Sequence, residues 1–257
     1  MMRMAGLLEV CADSVGSAVN AARGGADRIE LCSALPLGGL SPDEDLFCMV
    51  RERVDIPVRV LLRPRAGDFL YDEDEFELLC RQASRFAGLG ADGIVIGMLN
   101  PDGTLDAERM SALMACGDGC GVTLHRAFDV CRDAHEALRT AKKLGVDTIL
   151  TSGQQARCAD GAPLLRELVS ESGEGLRILI GGGVNADVIR ALAPQTGADA
   201  FHLSAKAAVP SGMEFRRENV PMGIPGLNEF ELWRCDEGAV RAAREALDAV
   251  CTARKEN

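Results

Sequence analysis

The segment Gly25-Ala26-Asp27-Arg28-Ile29 recurs loosely as Gly90-Ala91-Asp92-Gly93-Ile94, Gly145-Val146-Asp147-Thr148-Ile149 and Gly197-Ala198-Asp199-Ala200-Phe201. Each copy follows an Ala-, Leu- and Arg-rich stretch with helical spacing and leads into a short apolar run. This reads as a helix that stops at a glycine, which tolerates the left-handed backbone just past a helix end, followed by a tight turn into a buried strand. The junctions lie 65, 55 and 52 residues apart, a long-period internal repeat. Between them, residues 7–11, 57–63, 122–125 and 177–181 read as four further strands. Helical patterns follow the eight strands at 14–23, 42–53, 74–89, 106–115, 132–144, 161–170, 186–193 and 237–253. Asp13 and Asn185 are candidate caps, and Pro42 stands at a first turn. Eight alternating strand–helix units in 257 residues predict one α/β domain over 1–257, a single (β/α)8 TIM barrel. The repeat then marks every even-numbered strand. A doubly wound sheet would need a glycine-rich fingerprint after the first strand, where Cys11-Ala12-Asp13-Ser14 stands instead. Residues 210–230, rich in Pro, Gly and Asn, read as a long irregular excursion before the last helix.

Composition narrows the function classes. The chain is 47% hydrophobic and 26% charged, ordinary globular values. With 28 Lys and Arg against 39 Asp and Glu it carries a net charge of −11, and aromatics make up only 4%. An acidic chain without a basic run or a stacking surface is a poor partner for nucleic acid. No apolar stretch is long enough to span a membrane, and the apolar run after Met1-Met2-Arg3-Met4 is too short for a signal peptide, so a cytoplasmic location is expected. The ten cysteines contain no Cys-x-x-Cys pair and are expected to be mostly reduced, buried thiols.

In a barrel, alternate strand residues face the helices or the interior. If the apolar set faces the helices, then Glu9 and Cys11, Glu30 and Cys32, Arg59 and Arg63, Thr123 and His125, and His202 and Ser204 point inward. Alternation leaves the fourth, sixth and seventh strands ambiguous. Charges buried together must pair or hold a ligand. One reading pairs Glu9 and Glu30 with Arg59 and Arg63 simply to close the barrel. The other notes that Glu30, Arg63, His125 and Ser204 fall at strand C-terminal ends, where barrel active sites are built. Glu9, Glu30, Arg63 and His125 are then expected to form one connected polar network.

The loops supply further candidates. Gly181-Gly182-Gly183 before Asn185, Thr151-Ser152-Gly153 after the sixth strand, and Ser204-Ala205-Lys206 after the eighth offer backbone donors and a cation for a small anion, such as a phosphate. His125 is a candidate acid or base near neutrality, with Arg126 and Asp129 placed to orient it or grip substrate. Arg63-Pro64-Arg65 sets two arginines around a rigid proline, suited to a carboxylate or phosphate.

The chain resembles the CutC family, named for copper homeostasis. The resemblance rests on Glu9-Val10-Cys11, Arg28-Ile29-Glu30-Leu31-Cys32, Gly38-Gly39-Leu40-Ser41-Pro42, Arg63-Pro64-Arg65 and Gly67-Asp68-Phe69-Leu70-Tyr71. It continues through His125-Arg126-Ala127-Phe128-Asp129, Thr151-Ser152-Gly153, Gly181-Gly182-Gly183-Val184 and His202. The resemblance implies a single (β/α)8 barrel, a cytoplasmic homo-oligomer and a role in controlling copper levels. Soft Cu(I) prefers sulfur ligands. The residues offer Cys11 and Cys32, inward on neighbouring strands, with Met98 after the fourth. The competing reading is an isomerase, lyase or aldolase-type enzyme for a small phosphorylated or carboxylated metabolite. There Glu9, Glu30, Arg63, His125 and Asp129 are the catalytic candidates. Arg65, Arg126, Thr151, Ser152, Gly153, Gly181, Gly182, Gly183, His202, Ser204 and Lys206 are the ligand contacts. No lysine lies within a strand, which disfavours Schiff-base chemistry. A barrel that is only a stable scaffold is the third reading.

Overall fold

Leu8, Val10, Ile29, Val58, Val60, Ile94, Ile96, Val122, Ile149, Ile178 and Phe201 alternate along the strands and are buried together against the helices. In the computed structural model, which describes residues 6–217, 219–220 and 228–256, they form the outward face of a closed parallel barrel of eight strands. The elements run β1 (Leu7–Ala12), α1 (Val15–Arg23), β2 (Arg28–Leu31), α2 (Glu44–Arg51), β3 (Val58–Leu61), α3 (Glu73–Gly88), β4 (Gly93–Ile96) and α4 (Ala107–Cys116). They continue as β5 (Gly121–Leu124), α5 (Ala134–Leu144), β6 (Thr148–Thr151), α6 (Ala162–Ser172), β7 (Arg177–Ile180), α7 (Ala186–Thr196) and β8 (Ala200–Leu203). A two-stranded antiparallel ribbon, β9 (Lys206–Pro210) with β10 (Glu231–Cys235), precedes α8 (Glu237–Glu256). The ribbon brackets the expected excursion, so its two ends are regular strands. Positions 218 and 221–227 of that excursion lie outside the described residues, as do 1–5 and 257 of the expected domain.

The repeated segment has a physical role at every copy. Gly25, Gly90, Gly145 and Gly197 all have positive φ, the backbone needed to leave a helix and enter a strand. The aspartate two residues on fastens the barrel floor. Asp27, Asp92 and Asp147 accept the backbone N–H of Leu8, Val58 and Val122, each on the preceding strand, at 2.7, 2.8 and 2.6 Å. Each of these carboxylates also meets an arginine: Arg244, Arg51 and Arg59 respectively, at 2.7 to 2.9 Å. Asp199 lies 3.7 Å from Arg177.

Two helix starts differ from the sequence expectation. Ser14, not Asp13, caps α1 by accepting the Ser17 N–H, and Asp43, not Pro42, opens α2 by accepting the Asp45 N–H. In both cases the residue beside the expected one is extended and so aims its oxygen into the first turn. Met98 is buried in the outer core rather than facing the mouth. Every one of the ten cysteines is free.

The strand registers fix levels inside the barrel. Cys11 stands opposite Glu30, Glu30 opposite Arg59, and Glu9 opposite His202. Carried round the closure with the stagger of about one residue per strand usual for such barrels, they set Cys11, Leu61, His125 and Gly181 at one level. Cys32, Gly97, Ser152 and Ser204 lie just above. Glu30, Val95, Leu150 and His202 lie just below, and Glu9, Arg59, Thr123 and Leu179 below those. Cys32, Leu61 and Val95 pack as one apolar wedge, and Leu150, Leu179, Ala200 and Leu7 as another. A polar column runs between them.

The same substitution should have opposite effects at two exposed glycines where an added methyl meets nothing within 4 Å. Gly90→Ala forces alanine into φ +85° and should cost about 1 kcal/mol. Gly16→Ala, within α1, should gain about 0.5–1 kcal/mol. Urea unfolding of the two variants checks both signs.

Candidate functional site

The polar column is built on Glu9, which is fully buried. Its carboxylate accepts from Arg28 Nε at 2.5 Å and from His202 Nδ1 at 2.8 Å. Burial opposes its charge, but the Arg28 guanidinium and the His202 bond outweigh burial and hold its pKa down to about 2. His202 is the counterpart. Burial works against its charged form, yet Cys11, Glu30 and Glu9 around it hold it protonated well above its ordinary range.

Glu30 has no such partner. Its Oε2 is buried and makes no hydrogen bond, and burial lifts its pKa to about 7 against the pull of His202. Glu9, Glu30 and His202 bring one ligating atom each within 4.8 Å of one another. Cys11 lies close to His202. Cys32 sits one level higher than Cys11, not level with it, because the register pairs Cys11 with Glu30. Burial, the Cys11 thiol and the Glu30 and Asp13 carboxylates push the Cys32 thiol well up. Gly39 covers it: a Cβ there would lie 3.6 Å from Cys32 Cβ and 2.9 Å from Leu61.

The expected single network resolves into two. His125 and Arg63 lie apart from the Glu9 group, on the β3–β5 side. His125 Nδ1 accepts the Ala127 N–H at 3.1 Å, so its proton sits on Nε2, and that N–H is buried without a partner. Burial and the nearby Arg63 charge drive its pKa down to about 3. His125 is therefore a neutral donor and not the base near neutrality expected from sequence. Glu30 is the group poised there. Phe69 stacks at 4.8 Å from the His125 ring, and Arg63 lies 5.2 Å from the Phe69 ring centre. The buried Tyr71 hydroxyl also lacks a partner, and burial raises its pKa to about 12 although the Arg63 charge lies close by.

Most of the expected anion contacts are engaged elsewhere. Arg59 lies at the barrel floor, bonded to Asp147 and Thr123 at 2.7 Å each. Glu9 pairs instead with Arg28, which shares the parity of Glu30 and so was legible as inward. Arg63 gives its terminal nitrogens to the carbonyls of Leu37, Gly39 and Gly67. Arg65 turns to Glu75 at 2.5 Å and lies over Tyr71. Arg126 is held by Asp129, Ser152 and the Gln155 carbonyl.

Asp129 does not orient His125. It accepts from Thr151 Oγ1, from the backbone and hydroxyl of Ser152 and from Gln154 N, shaping the loop after β6. Gly153 N bonds to Thr151 Oγ1. The Thr151–Gly153 part of the expected phosphate cradle is thus satisfied internally. Gly181 faces inward, where a Cβ would strike Leu150 at 2.6 Å. Gly182 and Gly183 have positive φ, and the Gly182 carbonyl accepts the Cys158 N–H, so this triplet is a packed turn. Ser204 is half-buried at the strand end, and Lys206 lies over Trp233 on the ribbon.

A model of the CutC family matches residues 6–207. The chain belongs to the CutC family. It is 45% identical over 227 residues to a family protein CutC of Bacteroides fragilis strain YCH46, covering 88% of this chain and 90% of that protein. It is 44% identical over 237 residues to the human copper homeostasis protein cutC homolog, covering 91% and 86%. A crystal structure described as a candidate copper homeostasis protein CutC from Streptococcus agalactiae superposes with a TM-score of 0.73 at 26% identity, covering 77% of this chain and 98% of that one. Among the described residues no helix is long and apolar enough to cross a membrane.

The two carboxylates of this CutC barrel should separate by pH. Glu30 releases its proton near 4.5 when unfolded but near 7 when folded, so the folded state binds the extra proton between those values. The Glu30 contribution to the stability of the metal-free protein should therefore fall as pH rises through that window, by on the order of 2–3 kcal/mol. Glu9, held ionised in the fold down to about 2, contributes a constant amount above roughly pH 5. Because His125 and His202 titrate in the same window, the check is the difference: between pH 5 and 7.5 the urea-derived stability of the wild type should drop by that amount relative to Glu30→Gln.

Proposed function

We propose that the protein binds Cu(I) as cargo at the barrel mouth, through the thiols of Cys11 and Cys32 with His202 beside them. The observation that carries this is a pair of buried, free thiols on adjoining strands beside the Glu9, Glu30 and His202 group, in which Glu30 keeps an unpaired oxygen. Two thiols and an imidazole are a soft donor set, matched to monovalent copper rather than to hard divalent ions. In the absence of a cation, each acidic group here raises the pKa of its neighbours. A bound cation would relieve that strain on Cys32 and Glu30 together. Binding requires each thiol, and the protonated His202 where it ligates, to give up a proton, so affinity should rise with pH. The names of the relatives, copper homeostasis proteins among them, support this reading. The reduced thiols it requires suit the cytoplasm.

Titration of the fully reduced protein with Cu(I) against a chromophoric chelator tests it. One equivalent should bind, and Cys11→Ser or Cys32→Ser should each weaken binding by at least 100-fold. Stoichiometric binding untouched by both substitutions would remove these thiols as the site.

A further inference from the structure

We infer that the mouth holds a second, separate binding site, for the oxyanion of a small organic acid or phosphate compound, built from His125, Tyr71 and Arg63. His125 Nε2, Tyr71 Oη and Arg63 Nε are all buried without a geometrically good hydrogen bond, and the Arg63 charge acts on both His125 and Tyr71. His125 and Tyr71 are each only 5% exposed. A buried polar group left without a partner is costly, and native interiors rarely keep even one without a reason. Here the His125 Nε2–H and the Tyr71 hydroxyl proton are left without an acceptor beside the Arg63 guanidinium. Their natural complement is an oxygen-rich anion.

The charge agrees. Among the described residues no carboxylate pairs with Arg63; its terminal nitrogens bond only to the carbonyls of Leu37, Gly39 and Gly67. Those carbonyls fix the guanidinium in place without neutralising it. A half-buried, uncompensated cation in a chain of net charge −11 attracts an anion. His125 adds a donor that is neutral and fixed in tautomer by Ala127 N–H, so its role does not depend on protonation.

Phe69 covers the site. Its ring lies within about 5 Å of both the imidazole and the guanidinium, in a strap whose neighbours Ala66, Gly67, Asp68 and Leu70 are exposed. Arg63 and Arg65 hold the carbonyls of Ala66, Gly67, Asp68 and Leu70, which keeps the strap in place while the Phe69 side chain turns to admit a ligand. The ring then offers an apolar face to the carbon skeleton beside the oxyanion. None of the three donors is in the Cys11, Cys32 and His202 group, so this site stands or falls independently of copper.

Calorimetric titration of the metal-free protein with malonate, with inorganic phosphate and with uncharged malonamide tests the inference. At least one of the two anions should bind at a single saturable site, and which one binds tells a carboxylate from a phosphate site. Malonamide should not bind. Tyr71→Phe should weaken anion binding about ten-fold or more, the loss of one hydrogen bond to a charged group. The Cys11→Ser, Cys32→Ser double variant should bind the anion unchanged. In the wild type, the His125 Nε2–H resonance should shift downfield on titration, which reads the contact without any substitution. No saturable binding of either anion overturns the proposal. So does equal binding of malonamide, an unmoved His125 resonance, unaltered affinity in Tyr71→Phe, or loss of binding in the cysteine double variant.

Discussion

A carboxylate with no access to water sits near the centre of this barrel, and the surrounding structure is arranged to tolerate it. Glu9 ionised and alone would be several kcal/mol too unfavourable to bury. Arg28 from β2 and His202 from β8 supply the compensation, so the three strands at the closure of the sheet are tied through one side chain. That arrangement also decides what happens to Glu30. With Arg28 and His202 committed to Glu9, the second carboxylate is left with a free oxygen and a raised pKa. Two chemically identical groups on adjacent strands are driven in opposite directions by their partners, the usual way a fold assigns different proton duties to like residues.

The two ends of the barrel divide stability from chemistry. At the floor, the repeated aspartates hold backbone N–H groups of the preceding strand and are countered by arginines, of which Arg244 keeps a buried Nε without a hydrogen bond. At the mouth, the unanswered atoms gather: Glu30 Oε2, His125 Nε2, Tyr71 Oη and Arg63 Nε. Active and binding sites of this fold sit at the C-terminal ends of strands, and the unequal distribution of satisfied groups gives that rule a local physical form.

The loops at the mouth show how misleading residue density can be. Arg65, Arg126, Asp129, Thr151 and Ser152 look like an anion-binding surface when read along the chain. In three dimensions they bond to one another and to loop carbonyls, fixing the walls around the site. In the glycine triplet a side chain at Gly181 would strike Leu150 and one at Gly182 would crowd Ser152, whereas Gly183 is exposed and set apart by its positive φ.

The amino-acid sequence by itself determined the architecture, because helix and strand periods, glycine stops and the fourfold repeat are local signals that survive without knowledge of contacts. On the first, second, third, fifth and eighth strands it also determined which residues face inward, since alternation follows from the pleat, and so Glu9, Cys11, Glu30, Cys32, His125 and His202 were legible as interior. What only the tertiary structure decided was pairing. Arg28 and Arg59 are both inward arginines, but one balances Glu9 and the other seals the floor with Asp147, a difference set by register and stagger between strands. The proton states of Glu30 and His125 followed from that pairing, because the pKa of a buried group depends on which neighbours are left to it once every other contact has been made.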